Sequence, residues 1–300
     1  MDGTLSHGRF NTYPTDILGE IAEHMVEDTR SLHSFARLCQ STVAVSRTVL
    51  FRDCYVEIGQ TRHPLAAFIE VLHGQNNIAW SIHAMRLGSD STDGYERTPV
   101  TLHEVARLLH ALPQVRRLWL YTLEWVPSPH SLFLEYEHTS LRHLKLDSIE
   151  CNSPRESPFE LLRVCSQWAS VNVKDLQSAQ ETTFMQTGPH KADRLMLTWF
   201  PFTGDWRLGI PKAAEALTEL KHIEITDVVD EVTGLLKELV EGNKATLKAL
   251  TIELCPIFTG GCYADRNRFN KLTGRQWPGT GRFPPFAPSS GSARSCNTWP

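Results

Sequence analysis

The sequence predicts an α/β chain: three short N-terminal helices, then a curved solenoid of parallel strands, then a disordered C-terminal tail. Three observations predict it. Apolar residues recur at helical spacing between Tyr13 and Phe51, a unit of the form apolar-x-x-apolar-x-apolar recurs between Ile82 and Ile252, and apolar periodicity stops from Pro256 onward. The chain therefore divides into an extension (1–12), a helical motif (13–52), a repeat array (53–255) and a tail (256–300).

The first helix is expected near Pro14, whose fixed φ and missing donor suit a first turn, with Asp16 at the positive end of the helix dipole. Ile17, Leu18, Ile21 and Met25 then fall on one face, with Glu20, Glu23 and His24 outside it. Leu32, Phe35, Ala36, Leu38 and Cys39 form a second stripe after a cap at Asp28 or Thr29. Val45, Val49, Leu50 and Phe51 form a third.

The repeated unit begins at Ile82, Val115, Leu141, Trp168, Ala192, Leu220 and Leu247, with a weaker copy at Val56 and Ile58. Its alternation suits a short strand with one buried face, and helical spacing fills gaps at 64–73, 101–112, 158–166, 211–217 and 228–241, where Gly242-Asn243 supplies a stop. Strand and helix alternating in register give parallel strands stacked unit on unit, each burying its apolar face against its neighbours. Polar segments at 88–99, 125–140 and 179–193, broken by Pro and Gly, are expected to be loops. The tail is rich in Gly, Pro and Ser, the composition of disorder, and carries scattered arginines and aromatics.

Composition narrows the function classes. A net charge of −4 disfavours general binding to nucleic acid or anionic membranes. Seven scattered cysteines, none in a C-x-x-C pair, argue against a zinc ribbon or a disulfide framework. No run is long and apolar enough to span a bilayer, and no basic segment precedes an apolar one at the start, so a cytoplasmic or nuclear protein is expected. Phosphate-loop, nucleophile-elbow, zincin and dinucleotide motifs are all missing, so no catalytic activity, cofactor or metal is expected.

The N-terminal pattern resembles the F-box: Pro14, Asp16, Ile17, Leu18, Ile21, Leu38 and Cys39 stand at family positions, while Tyr13 replaces the usual leucine and no aromatic follows Cys39. The repeats resemble the irregular leucine-rich repeats of fungal F-box proteins, except that the consensus Asn or Cys position reads Leu123, Ile149, Leu176, Phe200, Val228 and Cys255. The resemblance implies a substrate-recruiting subunit of an SCF-type ubiquitin ligase. Pro14, Ile17, Leu18, Ile21, Leu38 and Cys39 would dock on a Skp-type adaptor and through it a cullin, while the repeats hold a protein substrate. The alternative is a free-standing repeat scaffold or inhibitor whose N-terminal helices only cap the array.

Because strand side chains alternate faces, the substrate surface is expected between the buried leucines. It comprises Arg117, Trp119 and Tyr121; His143, Lys145 and Asp147; Asn172 and Lys174; Arg194 and Met196; and Glu224 and Glu253, running from basic and aromatic to acidic. Trp and Arg dominate binding hot spots, which favours Arg117 and Trp119.

Overall fold

Leu18 and Ala22 lie one turn apart and are both fully buried, and they set the packing of the first unit. In a computed structural model, which describes residues 13–59, 65–89, 97–128, 138–152, 156–178, 189–198, 216–228, 233–254 and 272–273, the chain opens with α1 (Thr15–His24), α2 (Thr29–Ala36) and α3 (Gln40–Phe51). Pro14 is the residue before α1 rather than its first member, and its carbonyl accepts the Leu18 N–H at 3.2 Å. Asp28 caps α2 by accepting from Ser31 N–H at 3.1 Å, and Cys39 precedes α3 with its own N–H donating to Thr42 Oγ1 at 3.0 Å. The three helices close on a core of Leu18, Ala22, Leu32, Phe35, Val45 and Val49 that is separate from the main one.

The rest is a mixed α/β arrangement built on a mostly parallel sheet. Its main strands are β1 (Asp53–Ile58), β2 (Ala84–Ser89), β4 (Arg117–Tyr121), β6 (His143–Cys151), β8 (Ser170–Ser178), β10 (Arg194–Thr198), β12 (His222–Val228) and β13 (Ala249–Leu254), paired side by side in chain order. Shorter strands are β3 (Thr98–Thr101) and β5 (Leu123–Val126) in the same sheet, and β7 (Gln167–Trp168), β9 (His190–Ala192) and β11 (Leu217–Thr218), which pair in a second small sheet. The helices α4 (Leu65–Gly74), α5 (Asn76–Ser81), α6 (Leu102–Ala111) and α7 (Thr233–Gly242) fall between strands.

The apolar units supply the core. Met85 and Leu87, Leu118 and Leu120, Leu144 and Leu146, Val171 and Val173, Leu195 and Leu197, and Ile223 and Ile225 are all buried. A ladder ties the strand entrances together. The Arg52 carbonyl accepts both His83 and Ala84 N–H, that of His83 accepts Arg116 and Arg117, that of Arg116 accepts Arg142 and His143, and that of Arg142 accepts Ala169 and Ser170. Asp193 and Lys221 continue it, accepting from Lys221 and His222 and from Lys248 and Ala249. Just after β4 and within β6 and β8 a non-glycine residue adopts positive φ: Thr122 (51°), Ser148 (56°) and Asp175 (50°). Each left-handed residue costs of order 1–2 kcal/mol, offset because the next side chain (Leu123, Ile149, Leu176) turns into the core. Leu123, Ile149 and Leu176 are the positions compared above with the consensus Asn or Cys, and here they are apolar and buried.

Several expectations are corrected. The segment 158–166 is a 3₁₀ helix, Pro158–Val164, capped by Ser157 and followed by extended Cys165, whose sulfur lies 3.0 Å from both the Leu141 and Gln167 carbonyls and has one proton to share between them. The segments expected as loops take in the last two residues of β2, the first two of β3, the last two of β5 and all of β9, and Trp125 is fully buried in β5. Val228 belongs to β12, the following helix starting at Thr233, and Leu217 begins β11 rather than ending a helix; 211–215 lie outside the described residues. So does the tail, except for β14 (Leu272–Thr273), which pairs antiparallel with β13.

Two buried polar side chains lock neighbouring segments. Asn243, just past α7, accepts from Leu220 N–H and donates to the Leu239 carbonyl, each at 2.9 Å. His138 Nδ1 accepts from Leu141 N–H at 3.0 Å, which places the ring proton on Nε2, 2.9 Å from the Leu112 carbonyl it donates to. Burial first, then Arg142, pulls the His138 pKa below its ordinary 6.5, against opposing backbone hydrogen bonds. A depressed pKa means that the unfolded chain binds more protons, so this contribution is complete above about pH 6.5 and is lost as pH falls through the folded-state value. Stability measured by urea unfolding should drop on acidification, and the drop should be smaller in His138→Gln. That variant is also less stable at neutral pH, by about 1–3 kcal/mol for each backbone group left unpaired. An unchanged acid slope in the variant would assign the pH dependence to titrating groups other than His138.

Candidate partner-binding face

Strand alternation leaves one side of the main sheet to polar and aromatic residues, and the parallel register aligns them in rows across the strands. The central row reads Tyr55, Arg86, Trp119, Lys145, Asn172, Met196, Glu224 and Thr251. Beside it runs Glu57, Gly88, Tyr121, Asp147, Lys174, Thr198 and Thr226. On the other side Arg117 aligns with His143 and Ser170.

Trp119 is half-buried because cations cover both its flanks in register: Arg86 Cζ lies 5.0 Å from the ring centroid and Lys145 Nζ 3.7 Å. Arg86 and Lys145 thus cover the indole. Tyr121 lies 5.7 Å away and reaches across β2 to stack on Tyr55, centroids 5.8 Å apart and planes within 10°. That crossing requires glycine, since a Cβ at Gly88 would stand 1.9 Å from the Tyr121 ring. Removal from water pushes the Tyr121 phenol well up, and the neighbouring Tyr55 hydroxyl and Glu57 charge add to this. Tyr55 also hydrogen-bonds Glu57.

Asp147 is buried and receives Lys145 Nζ at 3.1 Å and Lys174 Nζ at 3.7 Å, so two cations share one carboxylate. His143 Nδ1 meets Ser170 Oγ at 2.8 Å, and burial, with Arg117 second, lowers its pKa. Arg117 pairs with Asp53 at 2.9 Å, both exposed, an interaction of about 0–1 kcal/mol. Farther along, Asn172 Nδ2 approaches Met196 Sδ at 3.8 Å, and Arg194 pairs with Glu224 at 2.6 Å. The expected drift to an acidic end is therefore neutralised at Glu224, and the Glu253 side chain lies outside the described residues. Arg117, Trp119, Tyr121, His143, Lys145, Asn172, Lys174, Arg194, Met196 and Glu224 do share one face.

Sequence reasoning missed Tyr55, Arg86 and Gly88. The signal was present, because Arg86 and Gly88 stand at the same offsets from Ile82 as Trp119 and Tyr121 do from Val115.

The helical unit presents a second surface. Tyr13, Ile17 and Leu38 are 51%, 41% and 40% exposed, Pro14 is exposed, and Ile21 and Cys39 are half-buried. Leu18, expected to contact a partner, is instead fully buried in the small core with Ala22, Leu32, Phe35, Val45 and Val49, while Ile17 is exposed. The Thr42 N–H directed at the Cys39 sulfur lowers the pKa of that thiol.

Among the described residues no group of three His, Cys, Asp or Glu side chains could hold a metal ion, and no helix is long and apolar enough to cross a membrane. No protein-family model, curated protein or solved structure matches the chain.

Proposed function

We propose that the chain is a substrate-recruiting subunit of an SCF-type ubiquitin ligase, its N-terminal helices an F-box docking on a Skp-type adaptor and its strands an irregular leucine-rich-repeat solenoid that holds a protein substrate. The observation that supports it is the division of labour in the N-terminal unit. Three helices with their own small core leave Tyr13, Pro14, Ile17 and Leu38 uncovered, as an element built to be covered by a partner would. The sequential parallel strands and their repeated left-handed residues support the solenoid part of the reading. In this role the protein carries out no bond chemistry; it positions a substrate for the ligase.

The test is copurification with a Skp-type adaptor and a cullin. Ile17→Asp should weaken adaptor capture at least tenfold, about 1.4 kcal/mol, with urea unfolding unchanged because the side chain is already exposed. If the unaltered chain fails to bind purified adaptor at micromolar concentration, the ligase reading falls and the helices are a cap on a free-standing scaffold.

A further inference from the structure

We infer that the Arg86–Trp119–Lys145 stack, with Lys174 beside it and the Tyr55–Tyr121 pair adjoining, binds an acidic segment of a partner protein. The inference rests on the reading that the strand face is the partner surface, and it names the chemistry that face selects.

Charge decides the sign. Lys145 and Lys174 both meet Asp147, and Glu57 is engaged by the Tyr55 hydroxyl, so the cation of this face that no described carboxylate answers is Arg86. Arg86 is exposed and, among the described residues, engages no carboxylate; its contact is the indole face. A guanidinium resting on an aromatic ring keeps its forked donors directed outward and surrenders little rotamer freedom when a carboxylate arrives. Lys145 is fixed on the opposite flank of the same ring and by Asp147, so two cations are held apart by a rigid spacer before any ligand binds.

Shape decides the rest. Tyr55 is 56% exposed and its ring is braced from one side by Tyr121, which makes it an apolar platform next to the cations. The ligand is therefore acidic with an apolar side chain among its carboxylates. A nucleic acid fits less well, because its bases need open aromatic faces for stacking and both flanks of Trp119 carry a cation.

Fluorescence anisotropy with the full chain tests this, using three labelled probes: a short glutamate peptide with a central phenylalanine, the same peptide with glutamine for glutamate, and a short oligouridylate. The glutamate peptide should bind saturably, more weakly as salt rises, and in preference to the other two. Arg86→Gln and Lys174→Gln should each weaken it at least fivefold, while Lys237→Gln on α7 leaves it unchanged. Equal binding of the glutamine peptide, tighter binding of the oligouridylate, no saturation below millimolar concentration, or indifference to Arg86→Gln would each overturn the inference. Adaptor capture is read separately. Adaptor capture without peptide binding removes this inference alone, and peptide binding without adaptor capture removes the ligase reading alone.

Discussion

Replacing Trp168 by alanine is expected to destabilise the chain by about 3–5 kcal/mol, the largest single-residue effect anticipated here. The indole is fully buried, its N–H donates to the Leu162 carbonyl at 3.1 Å, and its backbone joins β7 to β9 and accepts Asp193 N–H in the strand-entrance ladder. Truncation opens a cavity and leaves the Leu162 carbonyl with only the longer Cys165 N–H bond, at 3.4 Å. Trp125 is equally buried, but its N–H has no acceptor. Trp168→Phe should therefore cost more than Trp125→Phe, since only the first breaks a satisfied hydrogen bond. Urea unfolding with unchanged slope checks both, and a reversed order would show that cavity shape outweighs the hydrogen bond.

Leu18→Ala should cost about 2–5 kcal/mol, concentrated in the three-helix unit. Leu18, Ala22 and Leu32 are the fully buried members of a six-residue core, so one deletion removes a large part of what holds the helices together. Such a loss is enough to open a unit of this size while the sheet stays folded. Hydrogen exchange should lose protection across 15–51 and keep it in β4, β6 and β8. Ile17→Ala, one position away and exposed, should leave both patterns intact. Equal exchange in the two variants would mean that the helices have no independent core.

The main sheet was legible in the sequence because its cause is local and repeated. A side chain buried at every second position marks a strand wherever Leu118 and Leu120 or Leu144 and Leu146 recur, and Thr101 and Asp28 mark helix starts by side-chain capping. What escaped has causes outside the window being read. Trp125 and Val100 are buried in β5 and β3, which pair only because Thr122 turns the chain inward, and no pattern announces a left-handed threonine. The 3₁₀ segment carries helical spacing but begins at Pro158 and ends where Cys165 bonds Leu141, a long-range partner. At the site, alternation placed the face correctly, yet the pairing of Arg86 with Trp119 depends on register between strands and the Tyr121 crossing depends on the empty space at Gly88. In the helical unit a stripe identified Ile17 and Leu18 together, and only packing separates the outward residue from the inward one.

The rows across the strands also act as a vernier. Successive strands present equivalent side chains about every 4.8 Å, whereas an extended peptide lying across them repeats a side of its backbone about every 6.6 Å. The two scales fall out of phase at once and come back near coincidence only after three strand steps, about 14 Å, against two peptide steps, about 13 Å. Arg86 on β2 and Asn172 on β8 stand in one row three strands apart. An extended chain lying along that row can thus present like residues to those two positions only when they are four positions apart in its own sequence.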